Sequence, residues 1–405
     1  MTSTDAAPRR LLRTPWAAPI AVVSAVAIGL VAQPLLASGE SGDLPDLSAE
    51  ELVARVLEAE PQAMSGTVVH TARLGLPDLL FTEASGADPI SLLGGSSTIR
   101  LWTDGAERSR VALLGTMSEW SVVANGPEVW TYSSSDDEVV HYTLSAADRE
   151  RLEAMGERAR EEALARKAEL PTPQEAAADI LEKVEESSTV VVDTHTTVAG
   201  RDAYQLVVTP ETDGTLVDHV VLAVDGETMT PLRVQTWSTL DQSAPALEVS
   251  FTDVDFSAPS ESVFEFSAPA GATQRDVVVP LPDQDATMPD PGKAHPTPKV
   301  TGSGWETVVE FADLDVAKLL AGDPGAVSGM PEDFTGSEEA GDLVKEFKPD
   351  HSDGMGLDAG ALYEQLTTEV PEGRLLSSAL LSILVTDDGR VLVGAVPPLT
   401  LRSMA

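Results

Sequence analysis

Apolar and polar positions alternate along this chain with two different periods, and the changes of period mark its elements. Ser48 and Glu51 have the spacing of a capping box, with Leu47 and Leu52 at the staple positions on either side. Leu52, Val53, Val56 and Leu57 then recur on one face, which predicts a helix over residues 48–60 lying on a sheet. After Pro61 the period falls to two. Residues 65–72, 98–102, 108–113, 119–124, 128–132 and 139–142 are rich in β-branched and aromatic residues and predict strands. Asp104-Gly105, Asn125-Gly126 and the polar run 133–138 separate the later ones, and Asn-Gly between alternating strands is the strongest short-range hairpin signal. Residues 75–97, rich in Gly, Pro, Ser and Leu without a period, read as a long loop.

Helical spacing returns after residue 142. Ser145 and Asp148 cap a charged segment that runs to Lys167, whose thin stripe of Leu152, Met155, Ala159 and Ala163 predicts a solvated helix. Thr172, Pro173 and Glu175 start a second helix, over 172–186, with Ala177, Ile180, Leu181 and Val184 on its buried face. Strands resume at 189–195, 203–208, 219–224, 231–237, 246–254 and 262–266. The total, twelve, is more than a flat open sheet usually holds, so the sheet must curl, split or close.

Beyond the strands the organisation loosens. Residues 276–299 carry prolines from Pro280 to Pro298 and read as a linker. The tail, 300–405, has ordered pieces at 305–309, 314–320, 375–385 and 390–396, with an acidic, Gly-rich loop over 322–360. Its last apolar strand is expected to dock on the main sheet, at an unpaired edge. At the other end, Arg9, Arg10 and Arg13 precede an apolar run from Ile20 to Leu36 and the small residues Ala37-Ser38-Gly39, the layout of an export signal over 1–39. An uncleaved anchor is the alternative, because the run is near the lower length limit for a membrane span. The main domain is then 40–275.

Charge and composition remove several function classes. With 66 acidic against 26 basic residues the formal net charge is -40, which repels phosphate backbones and excludes a nucleic-acid partner. The absence of cysteine excludes disulfides, thiolate metal sites and a Cys nucleophile. His70, His141, His195, His219, His295 and His351 are scattered without metal-ligand spacing, and no phosphate loop, dinucleotide fingerprint or nucleophile elbow occurs. No catalytic residue, metal or cofactor is expected; hydrolysis by a pair of carboxylates is an alternative that no spacing supports. The candidate ligand-binding residues are aromatic: Trp102, Trp120, Trp130, Tyr132, Trp237, Phe251, Phe264 and Phe266 all fall on expected strands. They either fill the core beneath the helices or line a concave face that holds an apolar ligand.

Three stretches resemble one family. Residues 123–132, with Val123, Asn125-Gly126, Trp130 and Tyr132 in that order, are similar to a segment of the outer-membrane lipoprotein carrier (LolA) family and of its relatives, the RseB-type sigma-factor regulators. Phe264-Glu265-Phe266 followed by Pro269 and Gly271 resembles the closing segment of that family, and the turn from Gly200 to Tyr204 resembles the regulator branch. The resemblance spans residues 46–275. It implies an α+β fold, an unclosed antiparallel β half-barrel covered by helices, that holds lipid or lipoprotein acyl chains, with a membrane protein as a further partner in the regulator case. The carriers' Arg-Pro pair has no counterpart here, where the chain reads Gly105-Ala106-Glu107.

Overall fold

A computed structural model describes residues 44–76, 87, 89–166, 172–279, 298–312 and 359–405, with side chains of the helices described outside 159–166 and 359–362. The expected export signal, most of the Pro-rich linker, the helix at 314–320 and the loop at 322–358 lie outside the described residues.

Six strands, β1 (Met64–Ala72), β2 (Gly95–Thr103), β3 (Arg108–Leu114), β4 (Glu119–Asn125), β5 (Glu128–Ser133) and β6 (Glu138–Thr143), form one antiparallel meander. A second meander holds β7 (Ser188–Val198), β8 (Arg201–Pro210), β9 (Val217–Asp225), β10 (Pro231–Ser238) and β11 (Leu247–Asp255). Antiparallel pairing of β1 with β11 fuses the two, and β12 (Thr273–Val278) adds in parallel beside β6. The result is a 12-stranded sheet whose end strands, β12 and β7, do not pair with each other. It is the unclosed half-barrel that the resemblance implies, and of the three outcomes the strand count left open it is the curled one. Bulges in β7, β10 and β11 bend the second meander until β7 comes back against β11, four places away in the sheet.

Two details depart from the expected pattern for local reasons. In the β4–β5 hairpin Asn125 pairs with Glu128, so the turn residues are Gly126, at φ 59°, and Pro127. Proline fixes a negative φ, so the turn is of the type with glycine first and not the Asn-Gly type. Residues 262–266 are not a strand: a 3-10 turn at Glu261–Val263 leads into extended chain without a ladder partner.

Both expected capping boxes form. The helix α1 (Ala49–Glu58) begins at Ser48, whose side chain accepts the amide of Glu51 while Glu51 accepts that of Ser48; α2 (Ala146–Arg166) is mostly exposed; α3 (Pro173–Glu185) begins with the same reciprocal pair at Thr172 and Glu175. Helices α1 and α3 pack on each other and on β7. Leu52 of α1 closes over Tyr204, Leu206 and Val224, flanked by Leu47, Val53 and Val56.

The tail forms a sheet of its own. Strands β13 (Lys299–Thr301), β14 (Val308–Phe311), β15 (Thr368–Val370), β16 (Gly373–Ser377), β17 (Ser382–Thr386) and β18 (Val391–Gly394) form a separate six-stranded sheet. With α4 (Ala359–Leu366) and the terminal α5 (Pro398–Met404) it has its own core of Val308, Leu384, Leu392, Val396 and Leu401. It does not extend the main sheet at an edge. Instead it packs through Trp305, Leu380 and Ala395 against Val184, Val208, Val217 and Val220. The tail strands have apolar residues on both faces, and burying both requires partners on each side.

At Gly66 the backbone of β1 passes beneath the β11 bulge. A Cβ there would lie 2.6 Å from the Asp253 carbonyl oxygen and 2.7 Å from the Phe251 ring. Gly66→Ala is therefore expected to destabilise the protein by about 1–3 kcal/mol through overpacking, read as a lower urea midpoint with the slope unchanged.

Candidate functional site

Register defines two faces of the large sheet. On one, His70 lies opposite Val249, Val249 opposite Val234, and Val234 opposite Leu222. Leu222 packs under α1 and Val234 beside Val184 of α3, so this is the helix side. Followed the other way, the same face carries Val68, Ile99, Leu113 and Trp120 in one row, and Leu101, Val111 and Val122 in the next. Val68 and Leu113 are buried, whereas Ile99, Leu101, Val111, Trp120, Val122 and Val129 are only partly covered. Over the first meander, therefore, the helix side is a broad apolar surface made mainly of aliphatic side chains.

The opposite face is roofed in part, and Trp102, Trp130 and Tyr132 on it are half-buried. The chain between β11 and β12 crosses it, and Phe264, 1% exposed, lies 5.2 Å from the Arg108 guanidinium. Phe266 approaches Trp130 at 6.2 Å, and Trp130 stacks on His141 at 4.8 Å. His141 Nδ1 meets the Asp276 carboxylate of β12 at 2.9 Å, a hydrogen bond that holds this carboxyl below its ordinary range. Ala112, Ser121, Val123 and Val139 are buried on this side.

The expected aromatic residues are divided between the two faces. Trp120 is on the helix side, while Phe251, opposite Val68 at the β11 bulge, packs against the Val198, Ala203, Ala223 and Leu232 cluster. Trp102, Trp130, Tyr132 and Trp237 point to the crossover side, and Phe264 and Phe266 belong to the crossover itself. Trp102 lies between the guanidinium groups of Arg100 and Arg110, 4.7 and 5.8 Å from its ring, and Trp237 stacks on His219 at 5.3 Å. The eight rings thus do not form one site. The aliphatic surface beside Trp120 was harder to recognise in the sequence, because strands β2–β4 carry apolar residues on both faces and alternation alone does not choose between them.

A separate cleft of 550 Å³ lies between the start of α1 and α3, rimmed by Glu50, Glu182, Glu185 and Glu186. Four carboxylates make it a poor place for an apolar chain. Among the described residues no group of three or more His, Asp or Glu side chains could hold a metal, and no helix is long and apolar enough to cross a membrane.

No family model matches the sequence, and no curated protein matches it. Among solved structures the chain is similar to the Pseudomonas aeruginosa MucA/MucB complex structure, at 16% identity over 88% of this chain and 96% of that one, TM-score 0.37. It is also similar to a conserved protein from Thermus thermophilus (13% identity, 56% and 98% covered, TM-score 0.31). A LolA superfamily protein from Nitrosomonas europaea gives 12% identity, 55% and 99% covered, and TM-score 0.21. The first and third of these neighbours are, by name, a MucB complex and a LolA superfamily protein, the kinds that the sequence motifs resemble.

Proposed function

We propose that this chain is an exported, non-enzymatic binding protein that takes an apolar ligand, a lipid or lipoprotein acyl chain, on the helix side of its first meander. The observation that carries the reading is the nature of the partly covered side chains on each face: Ile99, Leu101, Val111 and Val122 on the helix side are aliphatic, while on the crossover side Trp102 lies against Arg100 and Arg110 and Trp130 against His141 and Phe266. A row of partly covered aliphatic side chains on a curved sheet gains by burial against an alkyl chain, at about 0.8 kcal/mol for each methylene removed from water. Native mass spectrometry of the exported, purified protein, with organic extraction and lipid analysis, should find bound acyl lipid. Protein that carries none and takes up none from added lipid would refute the reading.

A second reading is regulation, in which the tail contacts a membrane-bound partner and ligand occupancy alters that contact. It is favoured by Trp305, which joins the tail sheet to Val184 of α3, the helix that also packs on α1. Capture of membrane proteins by the full chain, but not by a chain ending before residue 300, is the expected result; equal capture by both counts against it.

A further inference from the structure

We infer that His70 is the polar anchor of the apolar face and selects chains joined through a carbonyl, that is acyl esters or amides, over plain alkyl chains; this rests on the reading of the helix side as the ligand face. His70 sits in the middle of β1, the strand that joins the two meanders, between the buried Val68 and Ala72 on the same face. Its cross-strand neighbours are Ser97 on β2 and Val249 on β11. The described buried side-chain polar atoms without a hydrogen-bond partner are His70 Nδ1, Ser121 Oγ, His141 Nε2, Trp237 Nε1 and the Nε of Arg110, Arg149, Arg151 and Arg233. Arg149 and Arg151 are on α2, Arg151 has another interaction, and the rest except His70 point to the crossover side. On the helix side of the sheet, His70 Nδ1 stands alone in this respect.

The chemistry around that nitrogen narrows what could meet it. Burial pulls the His70 imidazole below its ordinary pKa, so at neutral pH the ring is uncharged, with one N–H to donate. The helix-side positions next to it on β1, β2 and β11 are Val68, Ala72, Ser97, Ile99, Leu247 and Val249, none of them charged. A free carboxylate would find no cation there. In the tautomer that carries its proton on Nδ1, a neutral carbonyl oxygen is a matched acceptor, and the chain attached to it would continue over the partly covered Ile99, Leu101 and Val111.

The test uses two soluble ligands that differ only at the linkage: 1-palmitoyl lysophosphatidylcholine, with an ester carbonyl, and its 1-O-hexadecyl ether analogue. Calorimetric titration of the mature protein should give about tenfold tighter binding of the ester, the size of effect expected from one hydrogen bond at a buried site. His70→Phe should lose the preference for the ester, its ester-to-ether affinity ratio falling to about one, and His70→Gln, which keeps a donor, should retain part of it. In the unsubstituted protein the His70 ring ¹⁵N signals should move with the ester and not with the ether. Equal affinity for both ligands, or a preference that survives in His70→Phe, overturns the inference while leaving the binding function standing. Binding of neither ligand overturns that function as well.

Discussion

Arg201→Ala should lower the stability of the main domain by about 3–5 kcal/mol, the usual cost of removing one partner of a buried ion pair. Arg201 ends the β7–β8 turn and makes a two-pronged hydrogen-bonded pair with Asp225 at the end of β9. The Asp225 side chain is only 1% exposed. The guanidinium also donates to Glu227 at 2.7 Å and covers the Phe256 ring at 4.8 Å. In this way one side chain ties two adjacent turns and the start of the crossover together. In the variant, Asp225 keeps the amides of Glu227 and Thr228 and the Thr228 hydroxyl as donors, but its charge has no counterion. Urea unfolding at pH 7 measures the effect; a loss below about 1 kcal/mol would mean that the pair behaves as a surface salt bridge.

The same pair gives the prediction a pH signature. Burial pushes the Asp225 carboxyl up, but the Arg201 and Thr228 hydrogen bonds together with the Arg201 charge outweigh it and hold the group below its ordinary value. A carboxyl lowered on folding contributes stability that is present above its unfolded pKa, about 3.9, and is lost as pH falls through the folded value. In Arg201→Ala only burial and the weaker donors remain, so protonation relieves the variant. The stability gap between the two proteins should therefore narrow as pH falls through the carboxylate range.

Much of the main domain was legible in the chain because its signals are local. The capping boxes at Ser48 and Thr172 satisfy amides three residues away, and strands β1 to β11 pair mostly with their sequence neighbours, so the period-two pattern carries over directly into ladders. What failed was non-local. Phe264 and Phe266 have the composition of a strand, but the chain after Asp255 is drawn across the sheet to place β12 beside β6 in parallel, and no ladder partner is left for them. The tail was expected to pair with an edge of the main sheet; instead β14 pairs with β18 across a long intervening segment, a closure that no short window can show.

The candidate site was legible only in part, for a related reason. Aromatic rings draw attention to themselves in a chain with only 4% of them, yet Trp102 and Trp130 pack with arginines, His141 and the crossover. The partly covered surface is built from Ile99, Leu101, Val111 and Val122, which are unremarked in any sequence. His70 showed no motif at all. Its meaning comes from burial and from the uncharged neighbours that register places around it, and both depend on β1 pairing with β11, about 180 residues away.

Trp305→Ala is the second large effect, expected at about 3–5 kcal/mol and expressed as a loss of coupling between the two sheets. Trp305 is 6% exposed among Val184 of α3, Val208 of β8, and Val217 and Val220 of β9. Its indole N–H donates to Ser188 Oγ at 2.7 Å, at the start of β7. Other links among the described residues flank it: the Thr212 hydroxyl donates to the Glu306 carboxylate, the Ala395 carbonyl accepts from the Leu216 amide and the Thr215 hydroxyl, Ala379 exchanges bonds with Leu74 and Ser238, and Leu380 and Ala395 pack on the same cluster. Those bonds position the tail sheet, and among the described residues the indole is the one buried tail side chain in the cluster between the sheets. Without it the tail, which has its own core around Leu384 and Leu392, should unfold independently of the half-barrel. A single urea transition should then become two. Trp305→Phe retains most of the packing and leaves Ser188 Oγ without its donor, so a smaller loss of about 1–3 kcal/mol within one transition is expected. A single, unshifted transition in Trp305→Ala would mean that the flanking links alone couple the sheets, and that the tail could not report on the state of α3 through this residue.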